Sequence, residues 1–245
     1  TLSHKEHEKV IELCINESKG KIPVIAGTGS NSTSEAISLT KHAESAGADA
    51  ALVVTPYYNK PTQEGLYQHY KKINDNCSIP IIIYNIPSRS VIDMTIDTMA
   101  RLFELKNIVG VKDATGDLNR VEQQRKKMGE DFIQLTGEDG NVLEFNKRGG
   151  VGCISVTANI APKLCSDFQK YSKSNSDNEI KEAERIDQML QPVHKALFIE
   201  SNPSPVKYAA KLIGLCDDAV RLPLVKITKE SQKKVNEALS LAKLL

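Results

Sequence analysis

The sequence alternates short runs rich in aliphatic and β-branched residues with longer amphipathic segments, and this alternation most constrains its fold. The short runs occupy residues 22–27, 50–55, 79–85, 108–114, 132–137 and 152–158. Amphipathic segments such as residues 32–46 and 117–128 lie between them and predict helices. A repeated strand-helix pattern predicts a parallel sheet covered by helices, as a barrel or as a doubly wound sheet.

The pattern changes after the sixth run. Three helical segments, at about residues 179–199, 205–213 and 229–244, follow without intervening strands. The polar stretch at residues 172–178 is the best linker, so we predict a barrel domain over residues 1–174 and a helical region over 175–245. Six strands are two short of a (β/α)8 TIM barrel. One α/β fold that fits is such a barrel, without its first two strands and followed by a C-terminal helical appendage, and a doubly wound sheet stays open at this point.

Composition narrows the classes of function. The 245 residues are 40% hydrophobic and can bury a sizeable core. Lysine and arginine number 32 against 31 acidic residues, without a basic block, which argues against a nucleic-acid partner. Five scattered cysteines form no C-x-x-C pair, and no apolar run is long enough to span a membrane. We expect a cytoplasmic protein that acts on small molecules without a metal or a cofactor.

Lys112 gives the clearest chemical signal. It ends the apolar run at residues 108–111, which is expected to form a buried strand. Side chains alternate along a strand, so Lys112 shares a face with Gly110, whose small size leaves room beside the amine. Burial favours the neutral amine, which attacks carbonyl carbon. Lys112 is thus a Schiff-base candidate for a keto acid, unless its head reaches solvent or pairs with Asp113.

The end of the preceding strand carries two more reactive groups, Tyr84 and Arg89. Neighbouring strands lie about 5 Å apart, so the Tyr84 phenol can approach the amine of Lys112 and relay protons. The Arg89 guanidinium suits a carboxylate. The alternatives are a tyrosine ring that fills the barrel mouth and an arginine on a solvated loop.

Tyr57 and Tyr58 lie between Pro56 and Pro61 and form a stiff, exposed loop. Such tyrosines can bind a ligand or anchor a subunit interface, where tyrosine is enriched. A hydroxyl group contributed across an interface would satisfy both interpretations.

Residues near the amino terminus also have structural explanations. Ser3 with Glu6, and Ser32 with Glu35, have the spacing of capping boxes that begin helices. Asn31 is an alternative cap for the second helix.

His4 and His7 share one helical face, but they have no nearby acidic or thiol partner with the spacing of a metal site. The default interpretation is two histidines on the surface of a helix. The G-T-G sequence at residues 27–29 lacks the third glycine of a dinucleotide motif and is better explained by a turn.

Four segments together resemble the dihydrodipicolinate synthase family. They are residues 57–58 (YY), 84–89 (YNIPSR), 111–116 (VKDATG) and 152–159 (GCISVTAN). Their order and their placement at predicted strand ends extend the resemblance over the whole chain, except that the first two strands and the G-T-T-G-E loop of the family have no counterpart here. That loop normally supplies a hydroxyl between Tyr84 and Tyr58.

The resemblance implies that Lys112 forms an imine with pyruvate, whose enamine adds to L-aspartate 4-semialdehyde. The product would be 4-hydroxy-tetrahydrodipicolinate, at the first committed step of the diaminopimelate route to lysine. Tyr84 would transfer protons, and Tyr58 would complete the relay in a neighbouring subunit of a homotetramer. The implied binding residues are Arg89 for the semialdehyde carboxylate, and Gly137 and Ile154 for pyruvate.

The resemblance also implies feedback inhibition by L-lysine at a dimer interface. The matching residues are His4, His7, Asn31, Glu35 and Tyr57. Glu35 would pair with the lysine amine, Asn31 and Tyr57 would bind its other polar atoms, and the histidines would line the wall.

Two alternatives to the synthase stay open at this point. A sister pyruvate lyase, such as N-acetylneuraminate lyase or a keto-deoxy sugar acid aldolase, would share Tyr84 and Lys112, but Arg89 argues against a polyhydroxylated substrate. A noncatalytic remnant that binds lysine or a partner is the other alternative.

Overall fold

The structure is a computed structural model that describes residues 1–18 and 20–245. The strands are β1 (Ile25–Gly27), β2 (Ala50–Val54), β3 (Ile81–Asn85), β4 (Ile108–Asp113), β5 (Ile133–Thr136) and β6 (Gly152–Cys153). The α-helices are α1 (His4–Ser18), α2 (Thr33–Ala46), α3 (Gln63–Asn74), α4 (Pro87–Ser90), α5 (Ile96–Phe103), α6 (Asn119–Met128), α7 (Val142–Lys147), α8 (Pro162–Tyr171), α9 (Asp177–Ala196), α10 (Ser204–Leu212) and α11 (Lys229–Leu241).

The six strands form one sheet and are hydrogen-bonded in chain order. β1 pairs with β2, β2 with β3, and β3 with β4, each in parallel. At the carboxyl ends of β3 and β4, Tyr84 lies opposite Lys112 and Asn85 lies opposite Asp113. The predicted repeat of parallel strands and helices is confirmed for these pairs.

The sixth run forms a much shorter strand than its sequence predicts. Only Gly152–Cys153 is extended, and a 3-10 turn follows at Thr157–Asn159. The Asp139 carboxylate accepts hydrogen bonds from the Ser155 hydroxyl and, at 2.8 Å, from the backbone N–H of Val156. These bonds hold the backbone away from the sheet, so side-chain chemistry overrides the β propensity of the run.

Two compact units make up the chain. The first unit contains Leu2–Leu135 and Gly149–Val151, and the second contains Thr136–Arg148 and Gly152–Leu245 together with Thr1. In the first unit, buried aliphatic side chains of β2, β3 and β4 pack with those of α3 and α5. The fully buried Tyr70 donates its hydroxyl hydrogen to the Val53 carbonyl oxygen at 2.7 Å. This bond joins α3 to the sheet and satisfies a polar group inside the apolar core.

The core of the second unit lies among its helices. Val193 lies in α9, and Leu197 directly follows that helix. Both pack with Val235 and Leu239 of α11, and all four side chains are fully buried. Helices α9, α10 and α11 confirm the three predicted C-terminal helical segments. The predicted domain boundary between residues 174 and 175 stays a prediction.

The two predicted capping boxes have different outcomes. Ser3 and Glu6 form one, because the Ser3 N–H donates to the Glu6 carboxylate at 2.8 Å and the Glu6 N–H donates to the Ser3 hydroxyl at 3.3 Å. The second is wrong. Ser32 occupies the N-cap position of α2 but makes no side-chain capping bond, and Glu35 accepts a hydrogen bond from Ser30 instead.

Over the described part of the chain, no helix combines the length and the apolar character needed to cross a lipid bilayer.

Candidate active site

Lys112 and Tyr84 form the centre of the candidate site in the first unit. Lys112 lies near the end of β4 and is only 9% exposed. Its Nζ atom lies 3.9 Å from the centroid of the Tyr84 ring, which comes from the facing position of β3. The structure therefore places the predicted amine and phenol side by side, as the strand register requires. An amine on an aromatic face is stabilised as a cation by the ring, while burial favours its neutral form.

Arg89 lies on the loop that follows Tyr84. It belongs to the single helical turn α4 and is exposed to solvent. The buried Ser90 hydroxyl donates to the Ile86 carbonyl at 2.9 Å. Val91 then adopts φ 70, a left-handed conformation that is strained for a β-branched residue. The turn thus keeps Arg89 at the surface, exposed to solvent.

Tyr57 and Tyr58 form an exposed corner after β2. Tyr58 is 87% exposed and has φ 73, whereas Tyr57 is 42% exposed. A bulky side chain in the left-handed region costs conformational energy and occurs most often at functional sites. The prediction of a stiff exposed loop is consistent with this geometry.

Gly137 and Ile154 belong to the second unit. The Ile154 N–H donates to the carbonyl oxygen of Thr136 at 3.0 Å, so Ile154 lies beside the residue that precedes Gly137. The structure therefore brings these two predicted pyruvate-binding residues close to each other.

Four polar residues beneath the ends of β3 and β4 form a network that the sequence analysis missed. We name it the strand-end network, and it consists of Asn85, Asp93, Asp113 and Arg120. Arg120 Nε donates to Asp113 at 2.9 Å, Arg120 Nη1 donates to Asp93 at 3.3 Å, and Asn85 Nδ2 donates to Asp93 at 2.7 Å. Asp113 is committed to this network and to Thr115, so it is a structural residue of the strand end.

A sequence signal for the network exists in α6. Arg120 and Gln124 are spaced i and i+4 on the face of α6 that also carries the buried Val121. Both side chains donate to Asp113, Gln124 at 3.0 Å. Polar residues on the apolar face of a helix require buried partners, and Asp113 at the end of a strand is such a partner.

A second cluster of polar side chains lies at and beside a cavity of about 400 Å³ in the first unit. His4 and Glu35 both line this cavity, and His4 Nε2 lies 2.8 Å from the Glu35 carboxylate. His7 Nε2 lies 2.8 Å from the Gly27 carbonyl oxygen. Asn31 Nδ2 donates to the carbonyl oxygen of Tyr57 at 3.1 Å. Glu35 thus presents a carboxylate at this cavity, where it contacts His4 and accepts a hydrogen bond from Ser30.

Groups of three or more histidine, cysteine or acidic side chains that could hold a metal ion do not occur among the residues that the structure describes.

Comparison with known proteins assigns the family. The model of the dihydrodipicolinate synthetase family matches residues 1–242. The chain belongs to this family. The resemblance drawn from the four sequence segments is thereby confirmed.

Relatives of this family member include a 4-hydroxy-tetrahydrodipicolinate synthase of Pelagibacter ubique. It is 76% identical over 245 residues, which are 100% of this chain and 84% of the relative. A dihydrodipicolinate synthase of Acinetobacter baumannii, solved in complex with pyruvate, has a TM-score of 0.95 and 45% identity, over 100% of this chain and 83% of that one. The enzyme of Cyanidioschyzon merolae, solved with lysine bound, has a TM-score of 0.95 and 35% identity, over 100% and 83%.

Proposed function

We propose that this chain condenses pyruvate with L-aspartate 4-semialdehyde through a Schiff base on Lys112, and that it releases 4-hydroxy-tetrahydrodipicolinate. The observation that carries the proposal is the buried Lys112 amine, 3.9 Å from the ring of Tyr84, at facing positions of β3 and β4. The 76% identity to the synthase of Pelagibacter ubique supports this choice of reaction over the sister lyases.

The first step is attack of the neutral Lys112 amine on the keto carbon of pyruvate. Loss of water from the resulting carbinolamine gives an imine, and loss of a methyl proton converts the imine into an enamine. The enamine carbon then bonds to the aldehyde carbon of the semialdehyde, whose oxygen takes up a proton. We assign the proton transfers in these steps to Tyr84, because its ring lies beside the amine. Attack by the substrate's own amino group on the imine carbon closes the ring and returns Lys112.

Three residues bind the substrates in this proposal, and a fourth belongs to the proton relay. Arg89 holds the carboxylate of the semialdehyde through a charge-assisted pair of hydrogen bonds. Gly137 and Ile154 line the pocket for pyruvate. Tyr58, on its strained and exposed corner, reaches the site of a neighbouring subunit and completes the proton relay.

This role of Tyr58 requires an oligomer, and we propose a homotetramer in the cytoplasm. The fold is proposed to be a (β/α)8 barrel in which β1 to β6 correspond to the third to eighth strands, with residues 175–245 as its helical appendage. Light scattering of the purified protein measures the number of subunits directly.

L-lysine is the proposed inhibitor, and it binds in the cavity lined by His4 and Glu35. The Glu35 carboxylate would accept the lysine ammonium group, while Asn31, Tyr57 and His7 complete the surroundings. The measurement is a titration of initial rates with L-lysine. Inhibition that weakens at least tenfold in Glu35→Gln supports the site, and unchanged initial rates in the unsubstituted protein contradict it.

The proposed reaction is tested by incubation with pyruvate and borohydride, followed by intact mass and peptide mapping. We expect one reduced pyruvate adduct per chain, attached to Lys112. Lys112→Arg keeps the charge but removes the nucleophile, so it should form no adduct. Lys106→Arg, at an exposed lysine just before β4, is the matched control and should react like the unsubstituted chain.

Two results would contradict the proposal. An unmodified, folded protein would favour a noncatalytic role, and cleavage of N-acetylneuraminate by a chain that does form the adduct would favour a sister lyase.

A further inference from the structure

The strand-end network encloses the base of the loop that carries Arg89. Residues 86–92 leave the sheet after Asn85 and return to Asp93. Asn85 is fully buried, and its Nδ2 atom donates to Asp93 Oδ1 at 2.7 Å. The Asn85 Oδ1 atom accepts from the Met94 N–H at 3.0 Å. One asparagine side chain therefore joins the two ends of the loop.

Arg120 ties the returning end of this loop to the next strand. Its Nη1 atom donates to Asp93 Oδ2 at 3.3 Å, its Nη2 atom donates to the Met94 carbonyl at 2.8 Å, and its Nε atom donates to Asp113 at 2.9 Å. The Arg120 side chain is 11% exposed. A planar guanidinium offers these three directions at once, which an ammonium group on a flexible stem cannot reproduce.

The register of the sheet connects this network to the reacting groups. Asn85 and Asp113 face each other one position beyond the facing pair of Tyr84 and Lys112. Side chains of successive strand residues point to opposite faces, so the network lies behind the site and does not occupy it. The strands fix the amine and the phenol, whereas the position of Arg89 depends on how its loop is held.

A second anchor reaches the same loop end from α3. Gln63, the first residue of that helix, donates to the Asp93 carbonyl at 2.8 Å, and its Oε1 atom accepts from the Thr95 N–H at 3.0 Å. The backbone around Asp93 is thus held on both sides.

We propose that Asp93 and Arg120 are positioning residues for the second substrate, because they clamp the base of the 86–92 loop and so set where Arg89 meets the semialdehyde carboxylate. This inference rests on the proposed function. It assigns the clamp a selective effect on the semialdehyde, while the pyruvate imine on Lys112 forms without it.

Asp93→Asn is the sharper of two test variants. Each carboxylate oxygen of Asp93 accepts one hydrogen bond, and an asparagine has one acceptor only, so one of the two bonds must be lost. Rotation of the Asn85 amide cannot compensate, since its oxygen is held by Met94. The Asp93 side chain is 49% exposed, so the variant should fold. We expect the KM for the semialdehyde to rise on the order of tenfold, with the KM for pyruvate within about twofold of its original value.

The matched control is Asp97→Asn. Asp97 is an exposed acid that pairs with Lys127 outside the network. It should leave both KM values unchanged.

Arg120→Lys provides an independent test that retains the positive charge. It breaks the fork that joins Asp93, Met94 and Asp113, so we expect a rise of about tenfold or more in the same KM. Arg185→Lys, at an exposed arginine paired with Glu182, is its control.

Kinetics and pyruvate trapping are measured together, well below the Tm of each variant. A raised KM for the semialdehyde with normal borohydride trapping at Lys112 supports the inference. An unchanged KM with a lowered Tm would show that the network only stabilises the fold, and an equal rise in both KM values would show that it has no selective role. Absence of trapping in the unsubstituted chain would contradict the proposed function instead, so the two failures are distinguishable.

Discussion

Replacement of Gly110 by alanine tests whether close approach of strands sets the position of Lys112. A Cβ atom at Gly110 would lie 2.2 Å from the carbonyl oxygen of Ile133 and 2.6 Å from its Cβ atom. Carbon to oxygen contacts normally begin at about 3.3 Å, so β4 and β5 would have to separate by about 1 Å at this point. The atoms that obstruct the new methyl group include backbone, which cannot rotate away.

Overpacking of a tight contact costs roughly 1 to 3 kcal/mol, and the backbone clash places Gly110→Ala at the upper end, about 3 kcal/mol. For a chain of this size 1 kcal/mol lowers Tm by about 2–4 °C, which gives a decrease of roughly 6–12 °C. Because Lys112 lies two residues further along β4, a displacement of this strand should also slow pyruvate trapping about tenfold.

Thermal unfolding followed by circular dichroism at one fixed scan rate measures this effect. Gly27→Ala is the matched control, because Gly27 is also a strand glycine and a Cβ atom there would meet no heavy atom within 4 Å. A Gly110→Ala protein that melts within about 2 °C of the original and is trapped at the same rate would refute the reasoning.

Three further substitutions have defined outcomes. Burial lowers the pKa of His69 from 6.5 to about 4, so the folded state binds fewer protons than the unfolded state between these values and loses stability as the pH falls from 6.5 to about 4. In denaturant titrations, the free energy of unfolding of His69→Gln should fall by up to about 3 kcal/mol less than that of the unsubstituted protein over this pH range. Equal pH dependence of the two proteins would contradict this. Tyr70→Phe loses the hydrogen bond to Val53 and should lower the free energy of unfolding by about 1 to 2 kcal/mol in the same titrations. Its control is Tyr67→Phe on the same helix, which should change the free energy of unfolding by less than about 0.5 kcal/mol. Equal effects of the two substitutions would rule out the bond as the cause. Tyr84→Phe should lower kcat on the order of 100-fold in steady-state assays while the Lys112 imine still forms, and an unchanged kcat would exclude the proton-transfer role.

The repeating architecture was accessible from the sequence because hydrophobic pattern and strand order are local properties. Each predicted run contains a strand, and the facing positions of Tyr84 and Lys112 follow from their places at the ends of neighbouring strands. The length of the sixth strand was not accessible. It depends on Asp139, whose carboxylate captures backbone N–H groups in a later loop.

Contacts between residues distant in the sequence explain the other differences. The Ser32 and Glu35 pattern has the spacing of a capping box, but His4 and Ser30 compete for the Glu35 carboxylate. Gly110 was expected to make room for the amine, whereas the structure shows the backbone of Ile133 in the space that its Cβ atom would fill. A local sequence pattern predicts neither which partners a carboxylate contacts nor how closely two strands approach each other.

The closed base of the 86–92 loop has a consequence for how such a chain can change over time. Because Asn85 and Asp93 bond to each other, residues 86–92 begin and end at one point between β3 and α5, whatever sequence lies between the two anchors. Sequence changes between these two anchors would act on Arg89 and on the second substrate that we propose it binds, and they would leave the Lys112 amine in place on β4. Substrate preference and core chemistry would then be inherited separately, on one scaffold.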